Sequence, residues 1–293
     1  MKKYIMSIAM LCLILLSACS SGPLANQRAA EPEAESRNTS GMDSVSTAGA
    51  KSGAAAAERS DGGGDQSATL QPRQPQKLGQ EPPRYHSGKK VIYLTFDDGP
   101  STATQSILDS LLKYGAQATF FMLEPRIRVE PNIVKRIVKE GHAPGLHGVT
   151  HDKNKFYESP QSAVNEMLKD QQTLENITGV HSQLIRTPYG SIPYLTEPFR
   201  AALKQQGFQL WDWNVDSSDW SNGQYLTTTI HQIQKQTAAG IIPIVLMHDK
   251  PETAEHLPEL LKYLEQNGFA AERMEQSTTP YNFTCYNRCY PVA

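Results

Sequence analysis

From about residue 84 to residue 272 the chain switches back and forth between two hydrophobic patterns. Val91-Ile92-Tyr93-Leu94-Thr95-Phe96 is a short apolar and β-branched run, the pattern of a buried strand. Residues 103–114 change to helical spacing through Ile107, Leu108, Leu111 and Leu112, and Gly115 stops it. The same alternation predicts strands over 118–122, 143–146, 184–185, 208–215, 241–247 and 268–272. Between them it predicts a helix from Pro131 that ends at Gly141, one over 160–177 capped by Ser159, and others over 195–206, 223–238 and 253–266. About seven strands alternating with helices argue for an α/β domain with a parallel sheet, either open or closed into a barrel.

Ahead of residue 84 the pattern is lost. Residues 20–83 are rich in Ala, Gly, Ser, Glu and Gln and contain no aromatic side chain. Such a segment cannot bury enough surface to offset its ordering entropy, so disorder is expected. As a flexible coil it would span roughly 45 Å root-mean-square. At the start, Lys2 and Lys3 precede an apolar stretch over 4–16, shorter than the roughly 20 residues of a bilayer span and suited to a secretory signal. The stretch ends in Leu16-Ser17-Ala18-Cys19, which resembles the lipobox of bacterial lipoproteins. Residues 1–18 are therefore expected to be a signal peptide and Cys19 a lipidated N-terminus. Residues 19–85 would be a tether from membrane to wall, 86–275 the folded domain and 276–293 a tail. In that tail Cys285 and Cys289 either close a local disulfide or stay as two thiols.

Composition narrows the partners. The 293 residues carry a net charge of -2 with a pI near 6.5, which argues against nucleic acid. A mean hydropathy of -0.48 excludes a polytopic membrane protein.

The chemistry sits at the strand ends. Asp97 and Asp98 follow the first strand, His147 and His151 follow Leu146, and Arg186 follows Leu184-Ile185. Asp216 and Asp219 follow Val215, and His248 follows Met247. In βα architectures active sites assemble at the C-terminal edge of the sheet, so one shared pocket is expected. The spacing of His147 and His151 lets a turn bring both imidazoles to one ion. With a carboxylate they form a ligand set that leaves coordination positions open. His86, His142, His181, His231 and His256 are expected to be solvated.

Five ordered motifs, Thr95-Phe96-Asp97-Asp98-Gly99-Pro100, His147-Gly148-Val149-Thr150-His151, Arg186-Thr187-Pro188-Tyr189-Gly190, Asp216-Ser217-Ser218-Asp219-Trp220 and Leu246-Met247-His248, resemble those of the polysaccharide deacetylases, carbohydrate esterase family four. The match spans residues 90–272. Gly148 stands where the family usually has Ser or Thr, Asp152 replaces a frequent proline, and Thr187 stands where a second proline is common. The resemblance implies a distorted, incomplete (β/α) barrel and hydrolysis of N-acetyl groups on a glycan.

Residue by residue, it implies Asp98, His147 and His151 as ligands of one divalent ion, with zinc expected and cobalt or nickel also suited. Asp97 becomes the general base, oriented by Arg186. His248 becomes the acid that protonates the leaving amine, supported by Asp219. The backbone N–H of Tyr189 would donate to the oxyanion, and Trp220 and Leu246 would wall the acetyl methyl, unless these two are ordinary core. Asp216 is left between a loop-structuring and a catalytic role. Peptidoglycan N-acetylglucosamine is the expected substrate. Chitin fragments, an exopolysaccharide or xylan esters are the alternatives, and a glycan-binding lipoprotein without activity is a third class. The chain is expected to be an extracytoplasmic, membrane-anchored monomer. Trp211-Asp212-Trp213 suggests a sugar platform, of which only one face could meet the pocket.

Overall fold

A computed structural model describes residues 81–85, 88–221 and 223–292. The expected signal peptide, Cys19, most of the tether and His86 lie outside them. In chain order the elements are β1 (Lys90–Asp97), α1 (Thr104–Lys113), β2 (Thr119–Met122), α2 (Glu124–Val129), α3 (Pro131–Lys139) and β3 (Ala143–Leu146). Then come α4 (Lys153–Phe156), α5 (Pro160–Thr178), β4 (Leu184–Ile185), α6 (Glu197–Gln205), β5 (Gln209–Leu210) and β6 (Val215–Asp216). The last are α7 (Tyr225–Ala238), β7 (Ile244–His248), α8 (Pro251–Gln266) and β8 (Phe269–Glu272).

The strands are parallel and run in the order β5-β4-β3-β2-β1-β7-β6, with β8 pairing the first half of β1. The expected α/β sheet of about seven strands is borne out, with one correction. The strand expected over 208–215 is two separate pieces, β5 and β6, at opposite edges of the sheet. Leu210 and Val215 are five residues apart, so the edges they join lie within about 18 Å of each other. A flat sheet of this many strands at ~4.8 Å spacing would put its edges farther apart, so the sheet curls into an incomplete barrel.

Period-2 alternation sorts side chains across that curled wall. Ile92, Leu94 and Phe96 of β1, Phe120 and Met122 of β2, and Val245 and Met247 of β7 face the helices and form the main core. Tyr93, Phe121, Trp211, Ile244 and Met274 form a second cluster. Thr95 and Asp97 share a strand face with Tyr93, so the alternation that packs the wall also aims Asp97 away from the main core. Trp211 is completely buried in that second cluster, which removes it as a sugar platform.

α5 is fixed at both ends. Ser159 and Ser162 form a reciprocal capping box, and Gly179 ends the helix at φ 74°. Its buried stripe runs Ala163, Val164, Met167, Asp170, Gln171, Leu174. A carboxylate within an apolar stripe needs a partner, and the functional site supplies it.

One histidine expectation is corrected here. His181 and His231 are exposed and His256 half-buried, but His142 is buried against Phe120. Its Nδ1 accepts the Ala118 N–H at 3.2 Å, and burial pushes its pKa down to about 4, so it is a neutral core residue.

Candidate active site

Asp97 is the last residue of β1 and lies in register with His248, the last residue of β7. Neighbouring strands are ~4.8 Å apart, so the pairing alone brings these two groups to one pocket. Asp97 is nearly buried, and its Oδ1 accepts Arg186 Nη1 at 2.8 Å. Arg186 is fully buried. Its guanidinium also donates to Thr95 Oγ1, Trp211 O and Asp212 O and stacks 4.3 Å over the Phe121 ring. Arg186 thus fills the barrel interior and fixes the carboxylate beside it.

Asp98 takes φ 70°, the left-handed region, which turns its side chain away from that of Asp97. Its Oδ1 is 3.4 Å from His147 Nε2 and 3.4 Å from His151 Nε2, and it has no hydrogen-bond partner among the described residues. Burial pushes the Asp98 carboxyl up, but the flanking His147, His151 and His248 more than offset this and hold it below the usual carboxylate range. Asp97 Oδ2 is 3.9 Å from His147 Nε2, outside this cluster. The next residue, Gly99, has no room for a side chain, since a Cβ would lie 2.3 Å from Asp249 Oδ2. Asp249 in turn accepts from Ser101 Oγ and Thr104 Oγ1, which pins the turn after the two aspartates.

The histidine loop is held from α5. Asp170 Oδ2 accepts the backbone N–H groups of His147 and Gly148, both at 3.0 Å. Glu166 accepts Val149 N, Thr150 N and Thr150 Oγ1. Gly148 itself sits at φ 92°, where any other residue would be strained. Asp152, the other departure in this motif, caps α4 through Asn154 N and Lys155 N. His147 Nδ1 is 2.7 Å from the carbonyl oxygen of Arg186, so that nitrogen carries the hydrogen and Nε2 presents its lone pair.

These donors fit a metal. Ligand atoms about 2.0–2.2 Å from a tetrahedral ion are about 3.3–3.5 Å apart, the spacing of Asp98 Oδ1 from both imidazoles. All three ligand atoms lie within 4.8 Å of one another, and no other such group occurs among the described residues.

On the other side, Asp219 Oδ1 is 2.7 Å from His248 Nδ1, and its Oδ2 accepts His248 N at 2.7 Å and Thr253 Oγ1 at 2.6 Å. The Lys250 ammonium bonds the Asp219 carbonyl. Burial pulls His248 down, yet the Asp219 hydrogen bond and the nearby Asp97 and Asp98 charges outweigh it and hold the imidazole above its ordinary pKa. Tyr189, at φ 65°, bends its loop toward the histidines; its ring centroid is 4.8 Å from that of His151 and its hydroxyl donates to His151 O. Leu246 is buried on the strand face it shares with His248, while Trp220 is 65% exposed beside Asp219. Asp216 accepts Ser218 N, and its own backbone exchanges two bonds with Gln232, a loop-shaping role. Cys285 and Cys289 are joined as a disulfide with Cα atoms 5.3 Å apart.

Sequence reasoning missed Thr95, Glu166, Asp170, Thr253 and Asp249. Asp170 was detectable, as a carboxylate inside the apolar stripe of a predicted helix. Thr95 stands in the first of the five motifs, whereas Glu166, Thr253 and Asp249 left no local signal.

A family model described as polysaccharide deacetylase matches residues 84–211. The chain belongs to the polysaccharide deacetylase family. It is 43% identical to the polysaccharide deacetylase homologue YheN of Bacillus subtilis, over 67% of this chain and 71% of that protein. A peptidoglycan-N-acetylglucosamine deacetylase of Bacillus cereus is 38% identical over 68% of this chain and 75% of its own length. The crystal structure of a Bacillus cereus polysaccharide deacetylase, 39% identical, superimposes with a TM-score of 0.60 over 68% of this chain and 100% of that one.

Proposed function

We propose that this chain is a metal-dependent N-deacetylase of cell-wall glycan, acting on N-acetylglucosamine of peptidoglycan. The observation that carries this is the division of two consecutive carboxylates. Asp98 Oδ1 is equidistant from two imidazoles, whereas Asp97 is tied to a buried guanidinium. A divalent ion held by Asp98, His147 and His151, zinc in our reading with cobalt and nickel compatible, would polarise the acetyl carbonyl and acidify a water.

The protein's own groups supply the rest. Asp97 takes the proton of the attacking water, and Arg186 keeps it aimed. The Tyr189 N–H donates to the oxyanion, since it has no protein acceptor among the described residues. His248 gives its proton to the leaving nitrogen as the C–N bond breaks, and Asp219 stabilises and orients the imidazole. Trp220 and Leu246 bound the methyl group. The products are a free amine and acetate.

The Bacillus cereus relative supports peptidoglycan as substrate, and so does the chain's own N-terminal sequence. A lipid on Cys19 and a tether over 19–85 would hold the catalytic domain, 86–275, outside the cytoplasm beside that polymer. The test is mass spectrometry of digested peptidoglycan treated with the metal-loaded protein. Loss of acetyl from N-acetylglucosamine is expected; loss from the muramic sugar only, or none, would overturn the substrate assignment.

A further inference from the structure

We propose that Asp212 is a positioning residue for the acyl-transfer site, one that holds the Tyr189 loop and the Arg186 guanidinium in register with each other through the C-terminal tail. Asp212 lies in the crossover between β5 and β6 and is completely buried. Its carbonyl accepts Arg186 Nη2 at 3.3 Å, while Nη1 of the same guanidinium holds Asp97 at 2.8 Å. Its carboxylate faces the other way. Oδ1 accepts the N–H of Ser191 at 2.9 Å, and Oδ2 accepts Ser191 Oγ at 2.5 Å and the N–H of Phe283 at 2.6 Å. Ser191 is two residues beyond Tyr189, so one residue touches both the base's partner and the oxyanion loop.

The tail completes the clamp. Asp212 N donates to Tyr281 O, and Arg200 bridges Ser191 O and Phe283 O. The Phe283 ring meets the edge of Trp213 at 5.1 Å, and Trp213 fills the space where a Gly190 Cβ would lie at 2.8 Å. Farther along, Tyr290 N bonds Pro193 O. The tail therefore reaches the same loop at Ser191 through Asp212 and Arg200, and directly at Pro193. The loop's left-handed Tyr189 is a conformation that surrounding structure must impose.

Asparagine at 212 discriminates sharply, because the two backbone donors address different oxygens. Whichever way the amide is turned, its NH₂ faces either Ser191 N or Phe283 N, and one of the two bonds is lost. Loss of the first bond frees the loop directly, and loss of the second frees the tail segment that Arg200 ties to the loop, while the metal ligands stay in place. A displacement near 1 Å at a reacting group costs up to about 100-fold in rate.

The proposal rests on the deacetylase reading of the site. The full chain carrying Asp212→Asn, Ser191→Ala or both is compared with wild type for acetate release from an N-acetylglucosamine oligomer, metal content and thermal unfolding. Asp212→Asn is expected to lower kcat by at least about tenfold, with KM within about twofold and one ion per chain retained. Ser191→Ala, which removes only the hydroxyl's bond to Oδ2, should lose several-fold, and the double variant should lose clearly less than the product of the two single losses, because both changes act on the one Ser191–Asp212 junction. Wild-type kcat in Asp212→Asn, a loss that appears only in KM or in metal content, or losses that multiply would overturn the proposal. Should Asp212→Asn not fold, Ser191→Ala decides: a several-fold fall in kcat at constant KM supports the proposal and an unchanged kcat overturns it. A wild-type chain that releases no acetate overturns the deacetylase reading and this one together.

Discussion

Replacing Asp97 by asparagine separates chemistry from metal binding and also carries a stability cost that the structure specifies. Asn has nearly the size of Asp but cannot take a proton from water. General-base catalysis contributes about 10²–10⁴ in rate, so the barrier should rise by about 2.7–5.4 kcal/mol. The ion should stay, because Asp97 lies outside the Asp98–His147–His151 cluster. The fold should weaken as well, since Arg186 and Asp97 are both nearly inaccessible to solvent. Removing one partner of a buried ion pair costs about 3–5 kcal/mol, and the amide oxygen can still accept from Nη1, which points to about 3 kcal/mol. For a domain of this size that lowers Tm by about 6–12 °C. Asp98→Asn and His151→Ala should behave in the opposite way. Both lose metal affinity, and because each leaves the buried Arg186–Asp97 pair intact, the metal-free chains should melt above Asp97→Asn. Elemental analysis, acetate release from a short N-acetylglucosamine oligomer and a thermal scan on each variant read all three effects. If Asp97→Asn arrives without metal while Asp98→Asn retains it, the two assignments are reversed. If both keep metal and full turnover, the catalytic centre lies elsewhere.

Other consequences can be measured separately. His248 must carry a proton to act as the acid, so kcat should fall as pH rises through its raised pKa. Asp219→Asn removes the carboxylate charge behind the hydrogen bond that raises it and should move this alkaline limb to lower pH in a pH–rate profile. The same sign holds for stability: in the metal-free chain the His248–Asp219 contribution is full below about pH 6.5 and is lost as pH rises through the folded pKa. Asp170 should tolerate Asn, because a single oxygen takes both backbone amides and burial pushes its carboxyl well up toward the neutral form. Asp170→Ala should weaken metal binding by about 10–100-fold, as loss of an outer support does, and isothermal titration with zinc would show it. Cys19→Ser should move the protein from the membrane fraction to soluble or uncleaved forms. Unchanged membrane retention without a lipid adduct by mass spectrometry would refute the anchor.

Local pattern was enough to read the alternation of strands and helices and the placement of Asp97, His147, Arg186 and His248 at strand ends. These are local properties: period-2 and period-3.6 patterns follow from how Cβ atoms leave the backbone, and a residue that follows a strand sits at its edge in any fold. What the chain does between such elements was not legible. Residues 208–215 have the composition of one strand, but the two ends pair with β4 and β7, and only a curled sheet brings those partners within reach. His142 looks like a surface histidine until Ala118 and Phe120 close over it. The separation of Asp97 from Asp98 depends on a left-handed dihedral that nothing local in two adjacent aspartates prefers. Asp170 and Asp212 act through hydrogen bonds to residues 21 to 71 positions away. Such bonds are individually weak against the entropy of closing long loops, so they form only after the core has brought the segments together, and the tertiary structure alone decides them.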